Sequence, residues 1–316
     1  MAVVDGLRPH WLPQIVGIEG APVDRVNDWV GRGQYYFDQP VGPSAVSFVL
    51  QPGATLVEIF ASEMSRFCSA AIETSVGITR GDLPKSLAWL VIQTYYASFF
   101  AAHAILRCCG IAVSNFVSTD SQRADAIATA LGYSTSPLAV AQFRCEYQHG
   151  NARLECIKAQ GGGIHEQFWR VFDAFLTSVS TQVLSDHSLV QSDAQTIFGK
   201  LEDLQRVLRS DGHSGGNWLS SIRNEVNYRQ QHQTWFPYGR SRSECDHLFK
   251  LHSNWRSVPD SISFNARGNS DLERFVLVCS FLVSLSIDIA KDMARRGPTN
   301  SFLKAGPIRL LSQMNG

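Results

Sequence analysis

The sequence predicts a mostly α-helical fold, in which an antiparallel bundle of helices carries an inserted β-hairpin. Apolar residues recur at three- and four-residue spacing in several long segments, as they do along the buried face of a helix. Residues 86–106 contain no Pro, Gly, Asp, Glu, Lys or Arg, which is typical of a central helix that is buried on nearly all sides. Residues 141–158 alternate between apolar and polar side chains instead, and this pattern indicates a pair of strands.

Length, charge and cysteine content limit the classes of protein to which the chain can belong. Its 316 residues are enough for two domains or for one domain with elaborations. Lys plus Arg and Asp plus Glu both number 28, which argues against non-specific coating of nucleic acid but allows a local basic patch. The seven cysteines are odd in number and lack zinc-site spacing, so we expect a reduced, cytoplasmic setting and no cofactor. The first residues show no signal-peptide pattern.

Residues 1–53 are rich in Pro and Gly, and we expect an irregular segment with a short helix at 22–31 and a short strand at 44–50. The spacing of apolar residues predicts a helix over 54–77, followed across a turn by a helix over 86–110, so that the two are antiparallel neighbours. Residues 86–106 also have the length of a membrane span. The polar residues Gln93 and His103 within that run favour a buried core helix in a protein that does not enter the membrane.

The middle of the chain is expected to hold a short capped helix at 118–131 and then an insertion over about 133–163. Within the insertion, residues 149–151 would form the turn of the hairpin. The glycines at 161–163 favour a flexible hinge over a phosphate loop, because the Lys and the glycine spacing of such a loop are missing. One alternative is a chain of two helical halves divided near Gly161.

Five helices are predicted for the rest of the chain, and we expect a helical domain over 54–296 followed by a loop-like tail at 297–316. The periodicity of apolar residues places these helices at 164–184, 191–209, 216–232, 242–256 and 270–296.

Two short segments resemble a known family. The string TYYASFFAAHAILRCCG at residues 94–110, with Tyr95, Tyr96 and Ala97 near its start, resembles the second long helix of HEPN domains. The string RNEVNY at 223–228 resembles the start of the motif of HEPN ribonucleases, in which an Arg is often followed by a polar residue, as Arg223 is here by Asn224. In the family four to six residues separate that Arg from a His. Four residues separate Arg223 from Tyr228, which therefore stands at the earliest of those positions, and His232 comes too late for the pattern.

The resemblance implies a homodimer that brings two motifs together and cleaves RNA without a metal ion, the ribose 2′-hydroxyl attacking the adjacent phosphodiester. Arg223 would supply a cation for the phosphate. Asn224, Tyr228 and His232 would line up at successive i, i+4 positions if their helix continues. The candidate catalytic residues are therefore Arg223, Asn224, Tyr228 and His232, and the candidate supporting residues are Tyr95, Tyr96 and His103.

A plainer interpretation exists for each of these side chains. Arg223 could pair with a carboxylate on a neighbouring helix. Tyr228 could cap the core with its hydroxyl in water. His232 could be an ordinary surface histidine, and His103 a hydrogen-bonded core histidine.

Cations and aromatic residues are interleaved over residues 221–256, and such a pattern can bind RNA because bases stack on aromatic rings while cations meet phosphates. The candidate RNA contacts are Arg229, Trp235, Arg240 and Arg242. A solvated surface with buried aromatic anchors is the alternative.

We expect an RNA-cleaving or RNA-binding HEPN-like protein in a prokaryotic defence or toxin setting, with RNA, a second copy of the chain and a regulatory protein as partners. The setting comes from the resemblance alone. The alternative function is a non-catalytic HEPN-like module that binds a nucleotide or a protein partner.

Overall fold

The computed structural model of the protein describes residues 2–20, 24–38, 44–80, 87–133, 138–235, 242–264 and 268–314. Helices account for 66% and strands for 11% of the described residues, so the predicted mostly α class is confirmed. The helices are α1 (Ala2–Leu7), α2 (Val26–Arg32), α3 (Val57–Arg80), α4 (Leu87–Cys108), α5 (Ser118–Ala130), α6 (Ile164–Val183), α7 (Gln191–Leu208), α8 (Trp218–Arg229), α9 (Arg242–His252), α10 (Asp271–Arg296), α11 (Phe302–Ala305) and α12 (Pro307–Met314).

Helix α4 lies at the centre of the molecule and packs against α3 and α10. Small residues such as Ala97, Ala101 and Ala104 are fully buried along it, and their size lets the neighbouring helices approach closely. By length and composition α4 is the one helix in the described residues that could cross a membrane, but 72% of its most apolar stretch is buried inside the protein. Its apolar surface is therefore used for packing, as in a core helix.

Five strands form one antiparallel sheet in the order β1 (Tyr35–Phe37), β2 (Ala45–Leu50), β5 (Arg153–Lys158), β4 (Ala141–Gln148) and β3 (Ile111–Phe116). The predicted hairpin is present as β4 and β5, with its turn at His149–Asn151. Gly110, in the left-handed conformation with φ of 75°, lets the chain turn from α4 directly into β3. The hairpin is therefore the middle of a larger sheet, and the predicted description of it as a separate insertion was incomplete.

The predictions for the two ends of the chain were only partly right. Residues 1–53 contain the predicted short helix and short strand, as α2 and β2, but they also supply α1 and β1 and so are not mostly irregular. The tail after residue 297 is not a loop, because α11 and α12 follow and pack on α3. The four elements that were not predicted are only three to eight residues long, too short for apolar periodicity to mark them clearly.

A buried ion pair joins α3, α4 and the sheet. The Arg107 guanidinium donates from Nε to the Glu63 carboxylate at 2.6 Å and from Nη1 to the Ile111 carbonyl oxygen at 3.2 Å. Only 2% of the Arg107 side chain and 7% of the Glu63 side chain are exposed. The guanidinium also lies over the Phe67 ring, 5.3 Å from its centroid. Its charge and its donors are therefore satisfied inside the core.

The substitution Arg107→Met should lower the free energy of unfolding by about 3–5 kcal/mol, because it leaves the Glu63 carboxylate buried without its partner. The double variant Glu63→Met/Arg107→Met removes both charges and should be more stable than Arg107→Met alone. Urea titrations measure both values. Arg206→Met is the control, since its pair with Asp203 is exposed and should change stability by less than about 1 kcal/mol. A double variant less stable than Arg107→Met would contradict this account.

Cys145 and Cys156 face each other across β4 and β5, with their sulfur atoms 3.1 Å apart. The bond from the Ala159 N–H to the Gln142 carbonyl oxygen fixes the alternation of the ladder and places the cysteine pair at a non-hydrogen-bonded position. There the Cα atoms lie about 4.5 Å apart, within the range that a disulfide spans. Both thiols are free and buried, and burial raises the pKa of the Cys156 thiol well above its usual value.

Oxidation with a large excess of glutathione disulfide should link Cys145 to Cys156 slowly, the two thiols losing their hydrogens while glutathione disulfide is reduced to two thiols. Peptide mapping by mass spectrometry without reductant should detect the linked peptides. Cys145→Ser should abolish them, whereas Cys279→Ser should not. Recovery of both thiols unlinked after unfolding and alkylation would show that the sheet does not admit the bond.

Candidate functional site

A cleft of about 370 Å³ lies between the beginning of α6 and one face of α8. It is lined by Gly163, Ile164, His165, Glu166, Asn217, Ser220, Ser221, Arg223, Asn224 and Tyr228. Three of the four predicted catalytic residues are in this set, together with a histidine that was not predicted. The cleft therefore places an arginine and a histidine of the described residues beside the same open space.

A larger depression of about 480 Å³ beside α2 and α3 has less to offer. Its Arg32 guanidinium and Asp24 carboxylate are 2.5 Å apart, so they balance each other. No histidine is among the residues that line it. We therefore take the cleft at α6 and α8 as the candidate site.

Helix α8 has one buried face and one face toward the cleft. Trp218, Leu219, Ile222 and Val226 are buried, as their three- and four-residue spacing predicts. The same periodicity turns Asn224 and Tyr228 toward the cleft, where the Tyr228 side chain is 72% exposed. This degree of exposure is greater than that of a residue that caps the core.

Arg223 is only 4% exposed, yet it has no carboxylate partner among the described residues. Its Nε atom is buried without a hydrogen-bond partner. The guanidinium carbon instead lies 5.0 Å from the centroid of the Tyr95 ring and 5.8 Å from those of Tyr96 and Tyr228. Such cation–π contacts offset part of the cost of removing the charge from water. The alternative that Arg223 serves a carboxylate ion pair does not hold in the described part of the chain.

A chain of hydrogen bonds leads from the core to the rim of the cleft. The Trp169 indole N–H donates to the Tyr95 hydroxyl oxygen at 3.0 Å, and that hydroxyl lies 3.0 Å from Nδ1 of His165. Burial raises the pKa of Tyr95 to about 12, although the bond from Trp169 and the charge of Arg223 oppose the shift. Burial and the charge of Arg223 lower the pKa of His165 to about 4. His165 is therefore neutral at pH 7.

His165 was not predicted, because the family motif places its histidine on the same helix as Arg223, which here is α8. A signal was present: on α6, His165, Phe168, Trp169 and Phe172 fall at i, i+3, i+4 and i+7, so they share one face of the helix. A histidine at the start of a buried apolar stripe faces the neighbouring helices, which here are α4 and α8.

The predicted alignment of Asn224, Tyr228 and His232 was wrong in its last member. Helix α8 ends at Arg229, and Gln230 adopts the left-handed conformation with φ of 53°. His232 therefore lies beyond the helix, with its Nε2 atom 2.8 Å from Oε2 of Glu225. It is not among the residues that line the cleft.

The predicted RNA contacts are only partly described. The Trp235 indole N–H donates to the Val226 carbonyl oxygen at 2.7 Å, and its ring meets Trp89 edge to face at 5.8 Å. Trp235 is thus an anchor for the chain after α8, as the plainer alternative has it. Arg229 is exposed at the end of α8. Arg240 lies outside the described residues, and so does the side chain of Arg242, the first residue of α9.

The three predicted supporting residues lie in two environments. Tyr95 and Tyr96 are next to Arg223. His103 is enclosed in the core, where its ring stacks on Phe67 at 4.6 Å and on Phe168 at 4.0 Å. Its Nδ1 atom has no hydrogen-bond partner, so the packing of the ring is better defined than its polar contacts.

No model of a protein family, no curated protein and no solved structure matches this chain. Among the described residues there is also no group of three or more His, Cys, Asp or Glu side chains placed to hold a metal ion. The residues of the cleft are therefore the evidence for function.

Acid should weaken the fold through its buried histidines. Burial lowers the pKa of His103 well below its ordinary value of 6.5 and lowers that of His252 to about 4. Because the folded-state values lie below the unfolded one, the unfolded chain binds more protons in this range. The contribution of these two histidines to the free energy of unfolding is therefore fully present above pH 6.5 and is lost as the pH falls toward about 4.

The substitution His103→Phe should reduce the slope of the free energy of unfolding against pH. The reduction is up to about 1.4 kcal/mol per pH unit, because the variant takes up one proton fewer than the unsubstituted protein when it unfolds. Denaturant titrations from above pH 6.5 down to about 4 measure the slope. The exposed His187 provides the control as His187→Gln, which should leave the slope unchanged. Parallel curves for His103→Phe and the unsubstituted protein would contradict the assignment to His103.

Proposed function

We propose that this chain is a HEPN-like RNA-binding protein that cleaves RNA at the Arg223 cleft without a metal ion. The observation that carries the proposal is the buried guanidinium of Arg223, which lines an open cleft and has no carboxylate partner among the described residues. A defence or toxin setting and a regulatory partner remain expectations from the family resemblance.

Burying a charge without a partner costs free energy, and in most proteins an opposite charge or a set of hydrogen bonds offsets that cost. Here a ligand can offset it, because the cleft beside Arg223 is open. Guanidinium groups match the geometry of phosphate oxygens, which they bind through two parallel hydrogen bonds. A phosphodiester is therefore a fitting ligand for Arg223.

The other residues of the cleft suit a nucleotide. Ser221 and Asn224 offer hydroxyl and amide groups of the kind that bind ribose hydroxyls and base edges. The exposed Tyr228 ring, which lies on the side of Arg223, offers a surface for base stacking. Recognition of phosphate, sugar and base from one small cleft favours RNA over a simple anion.

The reaction needs little more than position and charge. The ribose 2′-hydroxyl attacks the adjacent phosphorus, the bond to the 5′-oxygen breaks, and the products are a 2′,3′-cyclic phosphate and a 5′-hydroxyl. Negative charge builds up on the phosphate oxygens in the transition state. A fixed guanidinium in a site of low dielectric stabilises that charge more than it stabilises the substrate.

The two segments that resemble the family, far apart in the sequence, are neighbours in space. Helices α4 and α8 are in contact, and Tyr95 and Tyr96 of one lie against Arg223 of the other. This arrangement supports the family proposal, and the family in turn leads us to propose a homodimer with two such clefts at its interface.

A non-catalytic module that binds a nucleotide or a protein partner is the second candidate. It is favoured by the absence of a histidine at the motif positions after Arg223 and by the contact of His232 with Glu225. In that case the cleft would bind phosphate and leave it intact.

Purified protein should cleave single-stranded RNA in EDTA, and Arg223→Ala should slow the cleavage by about 100- to 1,000-fold, because a transition-state charge stabiliser is lost. Gel analysis of labelled RNA measures the rate, and the 2′,3′-cyclic phosphate end identifies the reaction. Arg206→Ala is the matched control, since Arg206 is an exposed arginine paired with Asp203 on α7.

Equal rates of cleavage by Arg223→Ala and the unsubstituted protein would show that Arg223 takes no part in the reaction. RNA bound by the unsubstituted protein but left intact, with binding lost in Arg223→Ala, would select the non-catalytic module. Light scattering tests the homodimer in the same samples, and a mass equal to one chain would reject it.

A further inference from the structure

We infer that His165, which lies outside the motif on α8, is the general base of the proposed cleavage reaction. This inference depends on the proposed function, because it names the proton-transfer group of the same cleft. The histidine that the motif lacks is thus supplied by a different helix, α6.

His165 is close to the place where Arg223 would hold a phosphate. It lies in the first turn of α6, lines the cleft together with Arg223, Asn224 and Tyr228, and is only partly buried. Its ring centroid is 5.5 Å from that of Tyr95, while the Arg223 guanidinium carbon is 5.0 Å from the same ring on α4. A phosphate held by Arg223 therefore places its ribose within the same small space as the imidazole.

The hydroxyl of Tyr95 orients the imidazole ring of His165. The Trp169 indole can only donate, so it occupies one acceptor position of the Tyr95 oxygen. Nδ1 of His165 lies 3.0 Å from the same hydroxyl, and the direction of this hydrogen bond depends on the tautomer of the ring. When Nδ1 carries the hydrogen, Nε2 has a free lone pair, which is what a base requires. Tyr95 is then a positioning residue, fixing the ring as the third member of a catalytic triad fixes its histidine.

The other titratable groups nearby are less suitable. The Tyr95 hydroxyl is buried and its pKa is raised to about 12. His103 is enclosed between two phenylalanine rings, and His232 contacts Glu225 outside the cleft. Glu166, the carboxylate in the lining, is held by the Arg170 guanidinium at 2.5 Å. His165 is the one imidazole among the described lining residues, and it is neutral at pH 7, as a base must be.

Arg223 links ligand binding to the strength of this base. Its positive charge is one of the two causes that lower the pKa of His165, the larger being burial. A bound phosphate offsets that charge, so it should raise the pKa of His165 above its value in the empty cleft, while the effect of burial remains. The base is then strongest when the substrate is present.

The step balances without any co-reactant. Nε2 of His165 takes the proton of the 2′-hydroxyl while the 2′-oxygen forms its bond to phosphorus. The bond to the 5′-oxygen breaks, and that oxygen takes a proton from water. The imidazolium then returns its proton to solvent, which restores the neutral ring.

Rates of RNA cleavage in EDTA should be compared for the unsubstituted protein, His165→Gln and the control His187→Gln, an exchange of an exposed histidine after α6. His165→Gln should be slower by at least about 100-fold, the usual contribution of a general base, with an unchanged circular dichroism spectrum and unchanged RNA binding. The pH–rate profile of the unsubstituted protein should fall on the acid side between pH 6.5 and about 4, and that limb should be missing in His165→Gln.

Tyr95→Phe tests the positioning role. Nitrogen chemical shifts of the His165 ring should show the Nδ1–H tautomer in the unsubstituted protein and a mixture of tautomers in Tyr95→Phe, whereas a purely structural role of the tyrosine would leave the tautomer unchanged. The expected loss of rate is smaller than for His165→Gln.

The possible failures can be told apart. Cleavage by His165→Gln within threefold of the unsubstituted rate, with its acid limb intact, overturns the role of His165 and leaves the ribonuclease proposal standing. Loss of activity in His232→Gln with retention in His165→Gln assigns the base to His232 and overturns the inference. RNA left intact by the unsubstituted protein rejects the ribonuclease itself, and with it any base.

Discussion

The ion pair between Arg107 and Glu63 is the interaction on which the architecture depends. It ties the end of α4 to α3, and through the carbonyl oxygen of Ile111 it ties both helices to the start of β3. Every charge that is buried there has a partner at hydrogen-bond distance. Because α4 is also the helix that carries Tyr95 and Tyr96, the pair fixes the platform on which the candidate site is built.

Arg223 shows the opposite arrangement in the same bundle. Both arginines lie against aromatic rings, yet Arg107 meets a carboxylate and carbonyl oxygens, while Arg223 meets three tyrosine rings and an open cleft. Two buried guanidinium groups in one core thus have different uses. The first closes a network of internal contacts, and the second is left with donors and a charge that an anion can satisfy.

How far the sequence predicts this structure depends on how local each signal is. The long helices follow from apolar spacing within each segment, and the hairpin from alternation and its turn. Strand β3 was missed because it follows α4 without a loop and is buried on both faces, so it does not alternate. The end of α8 was missed because the left-handed residue that follows it is Gln230, whereas Gly or Asn is usual at such a position. Had α8 continued, His232 would have been the natural choice.

The site was predictable only in the part that lies on α8. Arg223, Asn224 and Tyr228 share one face of one helix, and their spacing shows it. His165 belongs to the site through its bond to Tyr95 on α4, and no spacing within a single helix reveals a relation of that kind. The cleft is therefore a property of three packed helices, and its full set of side chains appears only when they are assembled.

Two glycines in the left-handed conformation lead into the helix that carries His165. Gly161 and Gly162 have φ of 66° and 71°, and the Gly162 carbonyl oxygen accepts a hydrogen bond from the Gln167 side chain at 3.0 Å. A methyl group on Gly162 would also meet the Glu166 carboxylate at 2.3 Å. An achiral residue permits this path, whereas any chiral one strains it. A side chain at either glycine would therefore strain the stretch of backbone that leads into α6, the helix that carries His165.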